Sequence, residues 1–294
     1  MCELRIFLRI VGAHSAEQFD IIDINIILII FRRKIMEFRP CIDIHNGKVK
    51  QIVGGSLADK GDYARENFVS EADAAYFSDL YYSLGIHGGH VILLNPASSP
   101  YYNETKAQAL SALSRHPGFL QIGGGINADN ASEFIEAGAS HVIVTSYVFC
   151  GGHIDYDRLK VLVKKVGKEH LVLDLSCKKT ESGYKIVTDR WQKLTDTSVT
   201  PALLNELAKY CGEYLIHAVD VEGKCNGIEC ELVEQLSAYE GLPVTYAGGV
   251  GSFNDLARLK VLGKSRINVT IGSALDLFGG SMALDEVLSF IMQP

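Results

Sequence analysis

The fold of this 294-residue chain is indicated by a phrase that occurs twice. "QIGGGINADN" occupies residues 121–130, and "TYAGGVGSFND" occupies residues 245–255. In each copy a short β-type run ends in glycines and is followed by a residue that can cap a helix. A local turn preference does not explain a repeat at this distance. The repeat therefore indicates two halves of one domain with corresponding structure.

Around the repeated phrase the chain alternates between strand and helix patterns. The eight strand-like runs are "RPCIDI", "GHVILL", "GFLQIG", "HVIVTS", "LVLDLS", "YLIHAVDV", "LPVTYA" and "INVTIG". Helical patterns cover residues 70–84, 104–115, 128–137, 155–166, 201–210, 229–238 and 252–261. Such alternation is typical of βαβ units and a buried parallel sheet. Eight units predict a closed (β/α)8 barrel with a two-fold half-barrel repeat. The alternative is an open doubly wound sheet, but neither a strand-G-x-G-x-x-G-helix fingerprint nor a P-loop occurs.

The barrel domain is expected at residues 36–294, and residues 1–35 form an extension of unclear role. The apolar run at residues 21–31 carries Asp23 and is shorter than the ~20 residues that a membrane-spanning helix needs. Four acidic residues make the extension unlike a transit peptide. We expect an accessory strand or an upstream misread start, with a targeting segment as the alternative.

Composition and charge favour an intracellular, cytoplasmic protein and leave anionic small ligands possible. The formal net charge of -7 argues against nucleic acid or an anionic membrane as the main partner. The seven cysteines include no C-x-x-C pair, and their odd number suits reduced thiols better than a disulfide framework. The sequence pattern indicates no long exposed apolar surface, so we expect a monomer.

The repeated glycine turns predict two anion sites on the rim of the barrel. The active face of such a barrel lies at the carboxyl ends of its strands. Glycines there let backbone amides approach an anion, and a helix start adds unsatisfied N–H groups. The recurring positions are Gly125 with Thr145 and Ser146, and, 124 positions after Gly125, Gly249 with Gly272 and Ser273. Two such sites predict a substrate with a phosphate at each end.

Two aspartates occupy matching strands between these sites. Asp43 lies in "CIDI" and Asp174 in "LDLS", 131 positions apart. A carboxylate in an apolar strand is costly to bury, so each is either a satisfied structural group or a catalytic acid or base. Paired carboxylates in different environments can divide into a proton donor and a proton acceptor. The arrangement favours an isomerisation.

These segments resemble a known family. "CIDIHNGKVKQIVGG", "LQIGGGIN", "ASHVIVTSYVF", "LDLSCKK", "YKIVTDRWQ", "HAVDVEG", "VTYAGGV" and "VTIGSALDLFGG" are similar to the phosphoribosylformimino-AICAR ribotide isomerases of histidine biosynthesis, in their eukaryotic form. The resemblance runs from about residue 37 to the C-terminus. It implies a (β/α)8 barrel that converts an aminoaldose with two phosphates into the aminoketose by an Amadori rearrangement, with no metal or organic cofactor.

The resemblance also implies roles for individual residues. Asp174 matches the general acid, which protonates the furanose ring oxygen and opens the ring to a Schiff base. Asp43 matches the general base, which removes the C2 proton to give an enolamine. The phosphate loops map to Gly124, Gly125, Thr145 and Ser146 at one end and to Gly248, Gly249, Gly272 and Ser273 at the other.

Three further residues are candidates for supporting roles. His90 matches an active-site histidine of the family, although a core histidine is the alternative. Trp191 is the only tryptophan, and its segment resembles a mobile loop that closes over the ligand. It would stack on the aminoimidazole and exclude water, or else serve as a hydrophobic plug of the loop. Asp220, in "HAVDVEG", is a further acidic candidate.

Three other functions stay open at this point. The sister cyclase of the pathway also binds two phosphates between two aspartates, but its basic residue in the first loop and its "SIDRDG" signature are not found. A catalytically silent barrel could bind a phosphorylated metabolite as a sensor. A dual-specificity isomerase would also accept phosphoribosylanthranilate.

A zinc site at "HGGH" is disfavoured because a third clustered ligand is lacking.

Overall fold

A computed structural model describes residues 36–52, 56, 63–189 and 191–293. The chain divides into two units, Met1–Ile35 and Met36–Pro294. The predictions for residues 1–35 lie outside the described residues. Strands and helices are numbered below along the described chain.

Eight parallel strands form the barrel. They are β1 (Cys41–His45), β4 (Gly89–Leu93), β5 (Leu120–Gly123), β6 (Val142–Val144), β9 (Leu171–Asp174), β13 (Glu213–His217), β14 (Val244–Ala247) and β15 (Ile267–Thr270). Each pairs with the next in this order. The sheet closes where Phe38, just before β1, bridges Val269 of β15 in parallel. The Arg39 N–H donates to the Val269 carbonyl over 2.8 Å. The predicted (β/α)8 barrel is confirmed.

Eight helices cover the barrel in the described part of the chain. They are α1 (Ala74–Ser83), α2 (Tyr102–Arg115), α3 (Ala131–Glu136), α4 (Tyr156–Val166), α5 (Pro201–Leu207), α6 (Cys230–Ser237), α7 (Phe253–Leu262) and α8 (Leu284–Met292). Their starts follow local chemistry: Asp73 caps α1, Thr200 caps α5 ahead of Pro201, and Ser252 caps α7. None of the described helices is long and apolar enough to cross a membrane.

The barrel interior is layered along its axis. At the amino ends of the strands, Glu213 accepts hydrogen bonds from Gln121 Nε2 over 2.9 Å and from Thr245 Oγ1 over 3.0 Å. Above this polar set lies an apolar layer of Ile143, Val172, Leu215 and Ala247, packed against Ile92. The filled interior leaves the carboxyl ends of the strands as the open face.

Three antiparallel additions to the barrel are not predicted by the strand-helix rhythm. β2 (Lys48–Ile52) and β3 (Glu66–Val69) continue the sheet from β1. β10 (Cys177–Thr180), β11 (Gly183–Thr188) and β12 (Lys193–Ser198) form a three-stranded sheet after β9. β7 (Phe149–Cys150) and β8 (His153–Ile154) make a short hairpin. Trp191 lies in the connection between β11 and β12, so the segment that resembles a mobile loop contains a small antiparallel sheet.

Candidate active site

A cavity of about 630 Å³ opens at the carboxyl ends of the barrel strands. Every barrel strand, or the residues directly after it, contributes to its wall. Twelve of the thirteen residues proposed from sequence line it: Asp43, His90, Gly124, Gly125, Thr145, Ser146, Asp174, Trp191, Gly248, Gly249, Gly272 and Ser273. Asp220 does not. The structure thus brings the two halves of the repeat to one mouth.

Asp43 projects from β1 into this cavity. Its neighbours Ile42 and Ile44 alternate to the opposite face and are fully buried against the outer core. The Cys41 thiol donates a hydrogen bond to Asp43 Oδ1 over 2.8 Å. Burial raises the pKa of Asp43 to about 6, with the Cys41 bond opposing the rise, the Glu222 carboxylate adding to it and His217 opposing it. A carboxylate with this pKa is ionised at neutral pH yet binds a proton readily, as a general base must.

Asp174, at the end of β9, lies in a different environment. Ser176 Oγ donates to its Oδ1 over 2.8 Å, and Thr145 Oγ1 donates to its Oδ2 over 3.1 Å. His217 Nδ1 lies 3.2 Å from Oδ1. Burial raises the pKa of Asp174, but the charge of His217 and these hydrogen bonds outweigh burial and hold the pKa below its ordinary value. Asp174 is therefore an anion at neutral pH.

His217, at the end of β13, is a site residue that sequence reasoning missed. Burial lowers its pKa, but the Asp174 carboxylate more than compensates and raises the pKa to about 9. The shared proton of the pair therefore lies on the imidazole. Its position at the carboxyl end of a barrel strand is the signal that could have identified it.

Glu222, in the turn after β13, is the second missed residue. It lines the cavity, and its buried Oε2 has no hydrogen-bond partner among the described residues. Burial raises its pKa. The sequence predicts Asp220 here instead, but Asp220 is exposed and accepts a hydrogen bond from the Lys179 N–H over 2.8 Å. The chain turns at Ala218, so strand alternation no longer indicates which side chain faces inward.

The glycine turns of both halves adopt left-handed backbone conformations. Gly124 has φ +97°, and a Cβ there would lie 2.1 Å from the Leu93 carbonyl oxygen. Gly248 has φ +122°, and a Cβ there would lie 2.8 Å from the Ala218 carbonyl oxygen. Gly125, at φ +69°, has nothing within 4 Å of a built Cβ. Only glycine brings the backbone this close to the cavity without strain.

A serine hydroxyl stands beside each glycine turn. Ser146 Oγ accepts from the Asp189 N–H over 3.0 Å, and Ser273 Oγ accepts from Asn67 Nδ2 over 3.1 Å. Neither hydroxyl donates a hydrogen bond to any described residue, so each keeps its proton for an anion in the cavity.

Two rings complete the wall. Trp191 is half-buried with φ +66°, its Nε1–H donates to Ser176 Oγ over 3.1 Å, and its ring centroid lies 6.0 Å from that of His217. His90 is buried, its Nε2 has no partner among the described residues, and burial lowers its pKa to about 3. His90 therefore presents a neutral imidazole.

The described residues contain no group of three or more His, Cys, Asp or Glu placed to hold a metal ion.

Comparison with known proteins agrees with this geometry. The family described as histidine biosynthesis protein matches residues 37–282. The chain belongs to this histidine biosynthesis family. Its match covers every strand of the barrel and both glycine turns. It begins one residue after the start of the described chain, so residues 1–35 lie outside the family region.

Three similar proteins are named 1-(5-phosphoribosyl)-5-((5-phosphoribosylamino)methylideneamino)imidazole-4-carboxamide isomerase. The one from Medicago truncatula, named as chloroplastic, is 53% identical over 259 residues, 87% of this chain and 81% of the relative. That of Yarrowia lipolytica is 47% identical over 252 residues, 83% of this chain and 93% of the relative. That of Saccharomyces cerevisiae is 44% identical over 257 residues, 85% and 95% respectively.

Proposed function

We propose that this protein is the imidazole-4-carboxamide isomerase of histidine biosynthesis, which converts the aminoaldose N'-(5'-phosphoribosyl)formimino-AICAR nucleotide into the aminoketose by an Amadori rearrangement. The observation that carries the proposal is the asymmetry at the barrel mouth. A carboxylate with a pKa near 6, Asp43, shares one cavity with the ionised Asp174–His217 pair. The names of the relatives support the same reaction.

Asp43 is proposed as the general base. Its Oδ1 is occupied by the Cys41 thiol, and no described residue donates a hydrogen bond to its Oδ2. The free oxygen is available to remove the C2 proton of the opened sugar. Because its pKa lies near 6, most Asp43 carboxylates are ionised at pH 7 and can accept that proton.

The general acid is proposed to be the Asp174–His217 pair as a unit. The resemblance implies that Asp174 itself donates the proton, but a carboxylate with a lowered pKa carries none at neutral pH. His217, with a pKa of about 9, holds the proton of the pair. Asp174 then orients the imidazolium, which protonates the ring oxygen as the furanose opens. Glu222, whose pKa burial also raises, is a second titratable group in the cavity.

The two glycine turns are proposed as the phosphate sites. Gly124, Gly125, Thr145 and Ser146 would bind one phosphate, and Gly248, Gly249, Gly272 and Ser273 the other. The open backbone at Gly125 and the free hydroxyl protons of Ser146 and Ser273 support this assignment. Trp191 would stack on the aminoimidazole between them.

The protein is proposed to act as a cytoplasmic monomer with this small molecule as its partner, and not on nucleic acid. The Medicago truncatula relative is named as chloroplastic. Plastid import is therefore the alternative to test, by fusing residues 1–35 to a fluorescent protein and locating it. Import would assign the extension a targeting role, and diffuse cytoplasmic fluorescence would support the cytoplasmic assignment.

Turnover of the aminoaldose tests the proposal directly. The assay compares the parent protein with the Asp43→Asn and Asp174→Asn variants. The rate is followed as the absorbance change when the cyclase, added as coupling enzyme, consumes the aminoketose. We expect turnover by the parent and a fall of about 100-fold or more in each variant, the usual effect of removing an acid or base. Asp157→Asn makes the same chemical change on the exposed face of α4 and should leave activity unchanged.

The competing functions predict different results in the same assay. A silent phosphometabolite sensor would bind the bisphosphate tightly without turnover. The sister cyclase would consume the aminoketose in the presence of ammonia and leave the aminoaldose untouched. A dual-specificity isomerase would turn over phosphoribosylanthranilate as well, at a rate that also depends on Asp43.

A further inference from the structure

Asp43 and Asp174 differ in the groups that donate hydrogen bonds to their carboxylates. Asp174 has three hydrogen-bonding neighbours, one of them the positively charged His217. For Asp43, the Cys41 thiol is the one hydrogen-bond donor among the described residues. A thiol is a weak donor, and it is an unusual sole partner for a buried carboxylate.

The strand geometry aims this thiol at the carboxylate. Cys41 and Asp43 are two positions apart on β1, so both side chains project to the same, inward face. β4 fixes both positions, because Cys41 pairs with His90 and Asp43 with Ile92 in the parallel ladder. Cys41 is only 7% exposed, yet it lines the cavity.

The thiol keeps its proton in this position. Burial raises the pKa of Cys41 far above its usual range, and the adjacent Asp43 charge raises it further. Cys41 is thus a donor to Asp43 at every pH at which the enzyme would work, and neither a thiolate nucleophile nor a proton acceptor.

We propose that Cys41 is a positioning residue for the general base: its S–H engages Oδ1 of Asp43 and leaves Oδ2 facing the substrate carbon. The inference rests on the proposed isomerase function and adds a residue to which no role has been assigned. It explains a cysteine at a cavity wall, where an apolar residue of similar size would pack equally well.

Other charged groups also act on Asp43, and the test must separate them. Glu222 from the turn after β13 raises its pKa, and His217 from the end of β13 lowers it. Tyr81 of α1 is close enough for its own pKa to be raised by Asp43. All three of these residues are still present when Cys41 is substituted, and the Tyr81 pKa also responds to Cys41.

The experiment compares Cys41→Ala, Cys41→Ser and the control Cys211→Ala in the full chain. Cys211 is another fully buried thiol, bonded to the Leu207 carbonyl away from the cavity. The Asp43 titration is followed by infrared spectroscopy of the ligand-free protein, as the carboxyl band that disappears in Asp43→Asn. The pH dependence of kcat/KM for the aminoaldose is the second measurement.

Loss of the thiol removes a hydrogen bond that favours the ionised carboxylate, so the midpoint in Cys41→Ala should rise by about 0.5–1 pH unit. For a rise of one unit, kcat/KM should fall about fivefold at pH 6 and hardly at pH 8. Cys41→Ser restores a donor and should keep the midpoint at or below that of the parent. Cys211→Ala should change neither measurement.

A midpoint in Cys41→Ala within about 0.2 unit of the parent would overturn the proposal. Cys41→Ala could also lose as much thermal stability as Cys211→Ala while the Asp43 titration stays unchanged. That result would show that Cys41 only fills space in the core. The infrared titration needs no turnover. An inactive parent would therefore contradict the proposed function while the titration still decides whether Cys41 controls Asp43.

Discussion

At the scale of single residues, two aspartates in equivalent strands have opposite electrostatic environments. Asp43 is partly buried beside one neutral thiol, and desolvation raises its pKa to about 6. Asp174 is paired with His217, and its pKa is lowered. The environment of each aspartate, and not its residue type, therefore sets the direction of its pKa shift, as the proposed division into base and acid requires.

The raised pKa of Asp43 predicts that this carboxylate destabilises the fold at neutral pH. The folded-state pKa of about 6 exceeds the ordinary 3.8, so the folded protein binds the proton more tightly and loses stability as pH rises from about 4 to 6. Asp43→Asn should therefore be more stable than the parent by about 1–3 kcal/mol at pH 8 and gain nothing at pH 3.5. Urea unfolding at both pH values measures this. An Asn variant no more stable than the parent at pH 8 contradicts it.

For the Asp174–His217 pair we expect the opposite effect on stability: a substitution that breaks the pair should destabilise the fold at neutral pH. Removing the imidazole in His217→Gln leaves a buried carboxylate without its cation, at a cost of about 2–4 kcal/mol near pH 7. The folded-state pKa of His217 is about 9, above the ordinary 6.5, so its contribution is complete below pH 6.5 and lost as pH rises through 9. The unfolding midpoints of His217→Gln and the parent should therefore approach each other as the pH rises from 7 to 10. His153→Gln, an exposed control, should follow the parent throughout.

At the scale of elements, the turns after β5 and β14 are alike at their first glycine and differ at their second. A Cβ at Gly124 would lie 2.1 Å from the Leu93 carbonyl oxygen, and a Cβ at Gly248 would lie 2.8 Å from the Ala218 carbonyl oxygen. A Cβ at Gly125 would meet nothing within 4 Å, whereas one at Gly249 would lie 2.0 Å from the Gly227 carbonyl oxygen. In the first turn, packing and the proposed anion binding thus fall on adjacent residues.

Substitutions in the first turn should separate these purposes. Gly124→Ala places a methyl group against the Leu93 carbonyl and should lower stability by at least about 2–3 kcal/mol. Gly125→Ala has room for its methyl group and should fold, but it intrudes on the proposed phosphate position and should raise KM about 10-fold or more. Unfolding curves and steady-state kinetics check both. Equal KM values for Gly125→Ala and the parent would remove this turn from the phosphate site.

The β11–β12 connection links Trp191 to Asp174, because Ser176 Oγ accepts a hydrogen bond from Trp191 Nε1–H and donates one to Asp174 Oδ1. Trp191→Phe keeps an aromatic ring but loses the Nε1–H bond to Ser176, so kcat/KM should fall about 3- to 10-fold. Leu194→Ala, at an exposed position of β12, is the matched control. Because Trp191 is the only tryptophan, ligand binding should change the fluorescence of the parent. An unchanged spectrum at saturating ligand would place Trp191 outside the site.

At the scale of the whole molecule, the described residues between 36 and 293 contain all eight barrel strands and their core. The sheet closes through residues 37–39, and Met36 and Phe38 are buried in that core. The family match begins at residue 37. We propose that the barrel folds and acts without the first 35 residues.

Deletion of residues 1–35, with Met36 as the new start, tests this proposal. We expect the unfolding midpoint to be unchanged and kcat/KM to stay within about twofold of the full chain. A chain that starts at residue 40 is the informative control, because it loses the strand segment that closes the barrel and should unfold. A lower midpoint for the Met36 start would show that the extension stabilises the barrel.

The sequence by itself determined the eight barrel strands, seven of the eight helices and the two glycine turns. Strand and helix periodicity, helix caps and turn glycines are local signals, and they agree with the barrel in each half. The half-barrel repeat also placed Asp43 and Asp174 in matching strands, because equivalent strands of a closed sheet meet at one rim.

Only the tertiary structure decided how chemistry is divided at that rim. His217 and Glu222 lie in a strand end and a turn whose side-chain directions depend on where the chain leaves β13, and Asp220 points outward for the same reason. The pKa values of Asp43 and Asp174 depend on burial and on neighbours that are distant in sequence. Local pattern specifies which elements form, whereas a carboxylate's proton affinity is set by the charges and hydrogen-bond donors that folding brings within a few ångströms of it.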